Sequence, residues 1–284
     1  MESRNSTLGI VKEQGQRLER SAGPWVTLLA RFGYAAKGIV YIIIGVLAAY
    51  AAFTTGGKTT DSRGALEEIL SQPYGKYLLG AVAIGLAGYA LWRFVQAVKD
   101  TENKGSGIKG IAVRIGYVVI SFIYAGLALT AVQMILGSYG KSSSESSSKE
   151  WTATLLAQPF GQWLVGAVGA GFAAAALSHF YKAYTAKFRE KLMTSQMSEK
   201  AQNFALRSGQ FGLAARGVVF GIISTFLILA ALHSNAGEAR GLSGALAALG
   251  EQTYGQLLLG AVALGLVAYG FYMLVLARYR RIIF

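Results

Sequence analysis

The sequence predicts an all-α integral membrane protein with six transmembrane helices. We expect three parallel two-helix repeats in a pseudo-threefold bundle, with short interfacial helices on the outer side. Three observations carry this prediction: few charges, six long apolar stretches and a threefold internal repeat. The chain is 53% hydrophobic and 14% charged, whereas about a quarter of the residues of a soluble domain are charged.

The apolar residues cluster in six stretches of about 20 residues or more, which is enough to cross a ~30 Å hydrocarbon core. They lack the polar face that a water-soluble helix shows at a period of 3.6 residues. A soluble helical bundle is therefore disfavoured. The six predicted spans lie near residues 32–53, 74–97, 114–137, 159–183, 211–233 and 255–277.

Internal self-similarity sets the architecture. The three copies open on RFGYAAKG (31–38), RIGY (114–117) and QFGLAARG (210–217). Each copy holds two spans, so all three insert the same way up and are parallel repeats. The predicted organisation is an N-terminal cytoplasmic segment (1–29), repeat 1 (30–99), a cytoplasmic loop (100–112), repeat 2 (113–185), a second cytoplasmic loop (186–208), and repeat 3 with a short basic tail (209–284).

A second motif recurs before the even-numbered spans as QPYG (72–75), QPFG (158–161) and QTYG (252–255). We expect Pro73 and Pro159 to start these spans, where a missing N–H costs nothing. The apolar segments just before the motif, 64–70, 151–156 and 244–249, are too short to span and are predicted to lie on the outer headgroups. Glycines in the even spans are predicted to let helices approach closely: Gly80, Gly85, Gly166, Gly171, Gly260 and Gly265.

The basic residues predict the orientation. Of the 27 lysines and arginines, 19 fall on the side that holds both termini, and cytoplasmic loops carry such an excess. Both termini should be cytoplasmic, and residues 1–23 do not resemble a cleavable signal peptide. The net charge of +13 then favours anionic headgroups of membrane lipids on the cytoplasmic face as partners. Without a nucleic-acid-reading fold it does not indicate nucleic acid.

Two basic residues lie inside the predicted spans. Lys37 and Arg216 occupy equivalent positions, about six residues or ~9 Å inside the membrane, while the middle repeat has Ile120 there. Intramembrane cations are candidate functional residues, and a pair of them suits an anion such as a lipid phosphate or a carboxylate. Alternatively, both side chains snorkel to the headgroups. The candidate residues for an anion or a lipid headgroup are Lys37, Arg216, Arg31, Arg114, Arg93 and His179.

Little in the sequence supports catalysis. There is no cysteine, no acidic residue lies in a predicted span, and His179 and His233 fall near opposite membrane faces. That separation argues against two axial ligands of one haem, and no nucleophile–base pair or metal set is visible. We therefore expect no enzyme activity, no cofactor, no metal site and no catalytic residue.

The repeated unit, opening RFGYAAKG or QFGLAARG and closing QPYG…LGAVAIG (72–85), resembles the bacterial membrane family built from the domain of unknown function numbered 1206. The resemblance covers roughly residues 28–280 and implies three tandem two-helix units in the bacterial cytoplasmic membrane. It implies no activity, because the family has none assigned. From the residues we expect a membrane scaffold that binds either lipids or a protein partner, whose identity the sequence does not give. The alternative is a channel or facilitator for a small or anionic solute that uses Lys37 and Arg216.

Overall fold

The computed structural model describes residues 2–54, 57–102, 105–140 and 144–280. These ranges contain no β-sheet, which confirms the all-helical class, and hold nine α-helices: α1 Glu2–Phe53, α2 Ser62–Ser71, α3 Gly75–Lys99, α4 Ile108–Leu136, α5 Ser144–Leu156, α6 Gly161–Thr185, α7 Glu199–Leu232, α8 Leu242–Gly250 and α9 Gly255–Tyr279. Six of them (α1, α3, α4, α6, α7 and α9) are long and apolar enough to cross a membrane. Arg281 of the predicted basic tail lies outside the described residues.

The structure moves some predicted boundaries. α1 begins at Glu2, and α7 begins at Glu199 rather than near residue 211. Ser198 caps α7, since its side chain accepts a hydrogen bond from the Ala201 N–H. Such a cap favours a helix start in polar sequence, where a hydropathy window finds no signal.

The QPYG motif forms a turn and does not open the helix, so the prediction that Pro73 starts α3 is wrong. The Gln72 carbonyl accepts the Gly75 N–H at 2.8 Å, Pro73 lies in the turn, and α3 begins at Gly75. Tyr74 has a φ of 61°, as the third residue of a type II turn requires. The other two copies bond alike, at 2.9 Å before Gly161 and 2.7 Å before Gly255.

The long helices pack in a definite order. α1 packs against α3 and α9, α3 packs against α4, α9 against α7, and α7 against α6. α4 and α6, the sister helices of the middle repeat, form no comparable interface. In the most apolar 18-residue stretch of α4 only 22% of the residues are buried, and in that of α6 only 17%. The corresponding share is 39–56% in the other four long helices. We call this gap the α4/α6 opening.

Glycines explain why the two long helices of repeat 1, and those of repeat 3, pack closely against each other. A Cβ at Gly33 would lie 2.6 Å from the Tyr89 backbone nitrogen, and one at Gly212 would lie 2.5 Å from the same atom of Tyr269. Only glycine allows α1 to touch α3, and α7 to touch α9, this closely. The equivalent Gly116 of α4 has no such neighbour within 4 Å.

The glycines predicted to pack helices behave unequally. Gly85 faces Ala36, and Gly265 faces Ala215, each within its own repeat. Gly80, Gly166 and Gly260 lie against the next repeat, near Ile135, Ala231 and Phe53 respectively. Gly171 departs from the prediction: an added Cβ would meet nothing within 4 Å, because its sister helix α4 does not pack against it.

Candidate functional site

Lys37 lies in the interior of the helix bundle, only 4% exposed. Its Nζ donates a hydrogen bond to the Tyr89 hydroxyl at 3.0 Å. The same nitrogen lies 4.6–5.9 Å from the centroids of four tyrosine rings, a range in which a cation is attracted to a ring face. These rings come from four helices and belong to Tyr41, Tyr89, Tyr124 and Tyr269. The lysine therefore does not snorkel to the headgroups.

Arg216 reaches the same aromatic group from α7. Its Nη1 donates to the Tyr269 hydroxyl at 2.6 Å, and its guanidinium carbon lies 5.2 Å from the Tyr41 ring and 4.6 Å from the Tyr269 ring. Its buried Nε has no hydrogen-bond partner. Lys37 and Arg216 thus share two tyrosines, and the fold brings the two cations of the predicted spans together. We call Lys37, Arg216, Tyr41, Tyr89, Tyr124 and Tyr269 the tyrosine–cation cluster.

The repeat explains how these tyrosines meet. Tyr41 and Tyr124 occupy equivalent positions one turn after Lys37 and Ile120, and in a helix such residues share a face. Tyr89 and Tyr269 occupy equivalent positions of the even helices, where the middle repeat has Ala175. The cluster is therefore built mainly by repeats 1 and 3.

A hydrogen-bonded chain leads from the cluster to the loop after α3. Arg93, one turn after Tyr89, donates to the Tyr89 hydroxyl from Nε at 2.9 Å and from Nη2 at 2.6 Å. Its Nη1 donates to the Gln96 side-chain oxygen at 3.0 Å, and the Gln96 amide donates to Glu102 at 3.1 Å. Polar contacts thus run from Lys37 to a carboxylate outside the apolar helices.

Glu102 ties three distant parts of the chain together. Its carboxylate accepts hydrogen bonds from Lys191 at 2.6 Å, Arg280 at 2.8 Å and the Tyr117 hydroxyl at 2.9 Å. Lys191 follows α6 and Arg280 follows α9, so the loops after all three even helices meet here. Arg280 also stacks on the Tyr34 ring at 4.9 Å. We call Gln96, Glu102, Tyr117, Lys191 and Arg280 the Glu102 cluster.

The Glu102 cluster holds more positive than negative charge, which shifts both loop groups. Burial alone would raise the pKa of Glu102, but the Lys191 ammonium and the Arg280 guanidinium outweigh it and lower that pKa to about 2. For Lys191, burial is the largest cause and lowers its pKa to about 8; Arg280 acts in the same direction and Glu102 opposes. The fold thus favours the charged form of Glu102 but disfavours the charged form of Lys191. At neutral pH the shift of Glu102 therefore stabilises the protein, and the shift of Lys191 destabilises it.

We expect Lys191 to be an unusually reactive lysine. A free amine is the nucleophile, and a pKa of about 8 rather than 10.5 gives roughly 300-fold more free amine at pH 7. Competitive labelling with acetic anhydride across pH 6–11, read by mass spectrometry, should return a midpoint near pH 8. Lys187 is the control, because its hydrogen bond to the Tyr181 hydroxyl raises its pKa. Equal midpoints for the two lysines would contradict the described environment of Lys191.

The remaining candidate residues divide between two places. His179, at the position equivalent to Arg93, packs edge-on against Phe220 with centroids 5.1 Å apart, and the Phe220 ring centroid lies 4.7 Å from the Arg216 guanidinium carbon. Arg114 instead donates to the carbonyls of Ala97 and Val98 near the end of α3. Arg31 lies exposed on α1. Arg93 and His179 therefore adjoin the cation pair, while Arg31 and Arg114 do not.

Sequence reasoning missed two kinds of residue here. Tyr89 and Tyr269 could have been found by aligning the even helices, since they recur beside the LGAVA segments. Glu102 gave no signal, because its partners Lys191 and Arg280 lie 89 and 178 positions away.

Two surface cavities add nothing to the site: one is lined in part by Phe53, the other by Leu206, and neither by Lys37 or Arg216.

The arrangement is suited to holding negative charge. The two clusters, together with Arg93 that connects them, hold five cations but one carboxylate, that of Glu102. The cations are Lys37, Arg93, Lys191, Arg216 and Arg280. Neither Lys37 nor Arg216 forms an ion pair with any described carboxylate. Groups of three or more metal-ligating side chains are not found in the described ranges.

Six long apolar helices define the class: they suggest a multi-pass membrane protein. The chain belongs to the family of the Domain of Unknown Function (DUF1206), which matches it three times, at residues 32–100, 115–186 and 211–280. It is similar to an uncharacterized protein of Bacillus subtilis (strain 168), YxxB, with 38% identity over 93% of this chain and 94% of that protein. No solved structure matches it.

Proposed function

We propose that the protein is a lipid-binding scaffold of the bacterial cytoplasmic membrane. The tyrosine–cation cluster binds the anionic group of a lipid, with Lys37 and Arg216 as the charged ligands. The proposed role is non-catalytic, with both termini in the cytoplasm. The excess of basic residues on that side of the chain supports this orientation.

One observation carries the proposal: two cations meet inside the apolar helices without a carboxylate. Moving a charged side chain from water into the protein interior costs roughly several kcal/mol unless an opposite charge offsets it. Tyrosine rings and hydroxyls supply part of that compensation, about 1–2 kcal/mol for each desolvated ring contact. An anionic ligand supplies the rest, and the unpartnered Nε of Arg216 is a donor that it can use.

The helix contacts support a pseudo-threefold arrangement within this proposal. Gly38 lies beside Leu274, and Gly217 beside Phe180, at equivalent positions of successive interfaces between repeats. Gly80 and Gly166 each lie beside an equivalent residue of the following repeat, Ile135 or Ala231. In this arrangement the three helix pairs surround a common axis, and the equivalent Lys37 and Arg216 point toward it from two of three sides.

A facilitator for an anionic solute is the second candidate. The hydrogen-bonded chain from Lys37 through Arg93 to Glu102 favours it, since it joins the cation pair to a loop outside the apolar helices. The four tyrosine rings around Lys37 argue against it, because they fill the space beside the lysine that a solute would have to cross. A free anion and a lipid share the same charged ligands, so the test has to separate them.

We expect Lys37→Gln and Arg216→Gln each to reduce the retention of anionic lipid about tenfold, since one hydrogen bond to a charged group contributes roughly 1.5 kcal/mol. The protein is reconstituted in nanodiscs of phosphatidylglycerol and phosphatidylcholine, and native mass spectrometry counts the lipids that remain bound. Arg31→Gln is the matched control, because it removes an exposed charge on the same helix as Lys37. It should leave the count unchanged.

Two results would overturn the proposal. Equal retention of phosphatidylglycerol by wild type and both variants would remove the cation pair from lipid binding. Efflux of phosphate or a carboxylate from proteoliposomes, lost in both variants while lipid retention is unchanged, would establish the facilitator instead.

A further inference from the structure

The α4/α6 opening places the cation pair within reach of the bilayer. We propose that an anionic phospholipid enters the bundle sideways through this opening, with its headgroup on Arg216 and Lys37 and an acyl chain between α4 and α6. This inference rests on the proposed function and names the route and the ligand class for the same site.

Sequence differences explain why the middle pair stays open. Repeats 1 and 3 have a small alanine, Ala36 or Ala215, facing a glycine of the sister helix; the middle repeat has Val119 there. In repeats 1 and 3 a cation of one helix also donates a hydrogen bond to a tyrosine hydroxyl of the sister helix, Lys37 to Tyr89 and Arg216 to Tyr269. The middle repeat has Ile120 and Ala175 at these positions. The contacts that close the other two pairs are therefore missing.

Burial shows which side of the cluster is reachable. Lys37, Tyr41, Tyr89 and Tyr269, all from repeats 1 and 3, are at most 8% exposed. Side chains on the other side are only half-buried: Arg216, Tyr124, Phe172, His179 and Phe220. Tyr124 comes from α4, and Phe172 and His179 from α6. Access to the cations thus lies between these two helices.

The chemistry of the opening favours a lipid over a second copy of the chain. The walls are apolar and aromatic: Phe172 packs edge-on against Phe220, with centroids 5.3 Å apart. The inner end of the opening carries the positive charges of Arg216 and Lys37. None of the six long apolar helices carries an acidic residue within its predicted span, so α4 or α6 of another copy would bring no negative charge to Arg216. An anionic phospholipid supplies both an acyl chain and the charge.

Blocking the opening tests the route. Gly171 is exposed on α6, at the position that faces the sister helix in the other repeats. The chain has no cysteine, so Gly171→Cys can be labelled specifically after folding with a bulky maleimide. We expect labelling to reduce phosphatidylglycerol retention about tenfold, while unlabelled Gly171→Cys retains the lipid as wild type does. Leu264→Cys is the control, because Leu264 is 57% exposed on α9, away from the opening.

Each other outcome has a distinct meaning. If labelled Gly171→Cys retains the lipid while Lys37→Gln loses it, the proposed function stands and the route is wrong. If Lys37→Gln also retains it, the proposed function itself is wrong. A dimer that labelling at Gly171 dissociates would put a second copy in the opening. Displacement of the lipid by millimolar inorganic phosphate would make the site one for small anions. Both results would overturn the inference.

Discussion

Glu102→Gln should destabilise the protein by about 3 kcal/mol, the order expected when one partner of a buried ion pair is removed. The side chain of Glu102 is 13% exposed and that of Arg280 is 7% exposed, so Arg280 would be left buried without its countercharge. The amide also has one acceptor oxygen instead of two, so it cannot accept the Lys191 and Arg280 hydrogen bonds on separate oxygens as the carboxylate does. The measurement is the free energy of unfolding in mixed micelles, followed by helical circular dichroism.

Glu67→Gln is the control for this variant, because Glu67 is exposed on α2 and should change stability little. The pH dependence gives a second readout. A carboxylate whose pKa falls from 4.5 to about 2 on folding stabilises the protein fully above pH 4.5, and this contribution disappears as the pH falls toward 2. The difference between wild type and Glu102→Gln should shrink over that window. A constant difference would place its cause elsewhere than in the charge.

Gly33→Ala and Gly212→Ala should each destabilise the protein by about 2–3 kcal/mol, as overpacking does in well-packed interiors. At both sites the new Cβ would meet the backbone of a tyrosine in the sister helix, which cannot rotate away. The helices must separate, and Tyr89 or Tyr269 would move from its cation. Thermal unfolding in detergent measures the loss.

The repeat supplies its own control in Gly116→Ala. This glycine aligns with Gly33 and Gly212 but faces the α4/α6 opening, where a Cβ would meet nothing within 4 Å. Its replacement should leave stability unchanged or raise it slightly, since alanine favours helix over glycine by up to about 1 kcal/mol. Losses of equal size at all three glycines would show that α4 and α6 pack as closely as the other pairs.

The six apolar helices could be predicted because hydropathy and internal repetition are local or periodic signals. The same comparison paired Lys37 with Arg216, since both follow the aligned glycines of their opening motifs. It could not decide between snorkelling and burial, because that depends on Tyr89 and Tyr269, which lie more than 50 positions away. The direction of a long side chain is set by its neighbours, which no hydropathy window contains.

The opening and the Glu102 cluster were beyond prediction for a different reason. Aligned copies suggest equal packing, and Val119 in place of Ala36 or Ala215 looks like a small change in the sequence. Its effect arises only where two helices must approach within van der Waals distance. Glu102 sits in a short polar loop of the kind that usually carries no structural role, and its partner Arg280 is placed by the last helix of the chain.

The packing of α1 against α9 has a consequence for biogenesis. Lys37 belongs to the first long helix, yet Tyr269, which shares it, belongs to the last, and Gly45 and Gly38 lie against the backbone of Ala263 and Gly270. During synthesis from the N-terminus, Lys37 is made well before the Tyr269 ring that completes its surroundings. An unshielded lysine in hydrocarbon is costly. Gly38 and Gly45 likewise have no helix to pack against until α9 is made, so the surroundings of Lys37 are completed only when the sixth long helix has been synthesised.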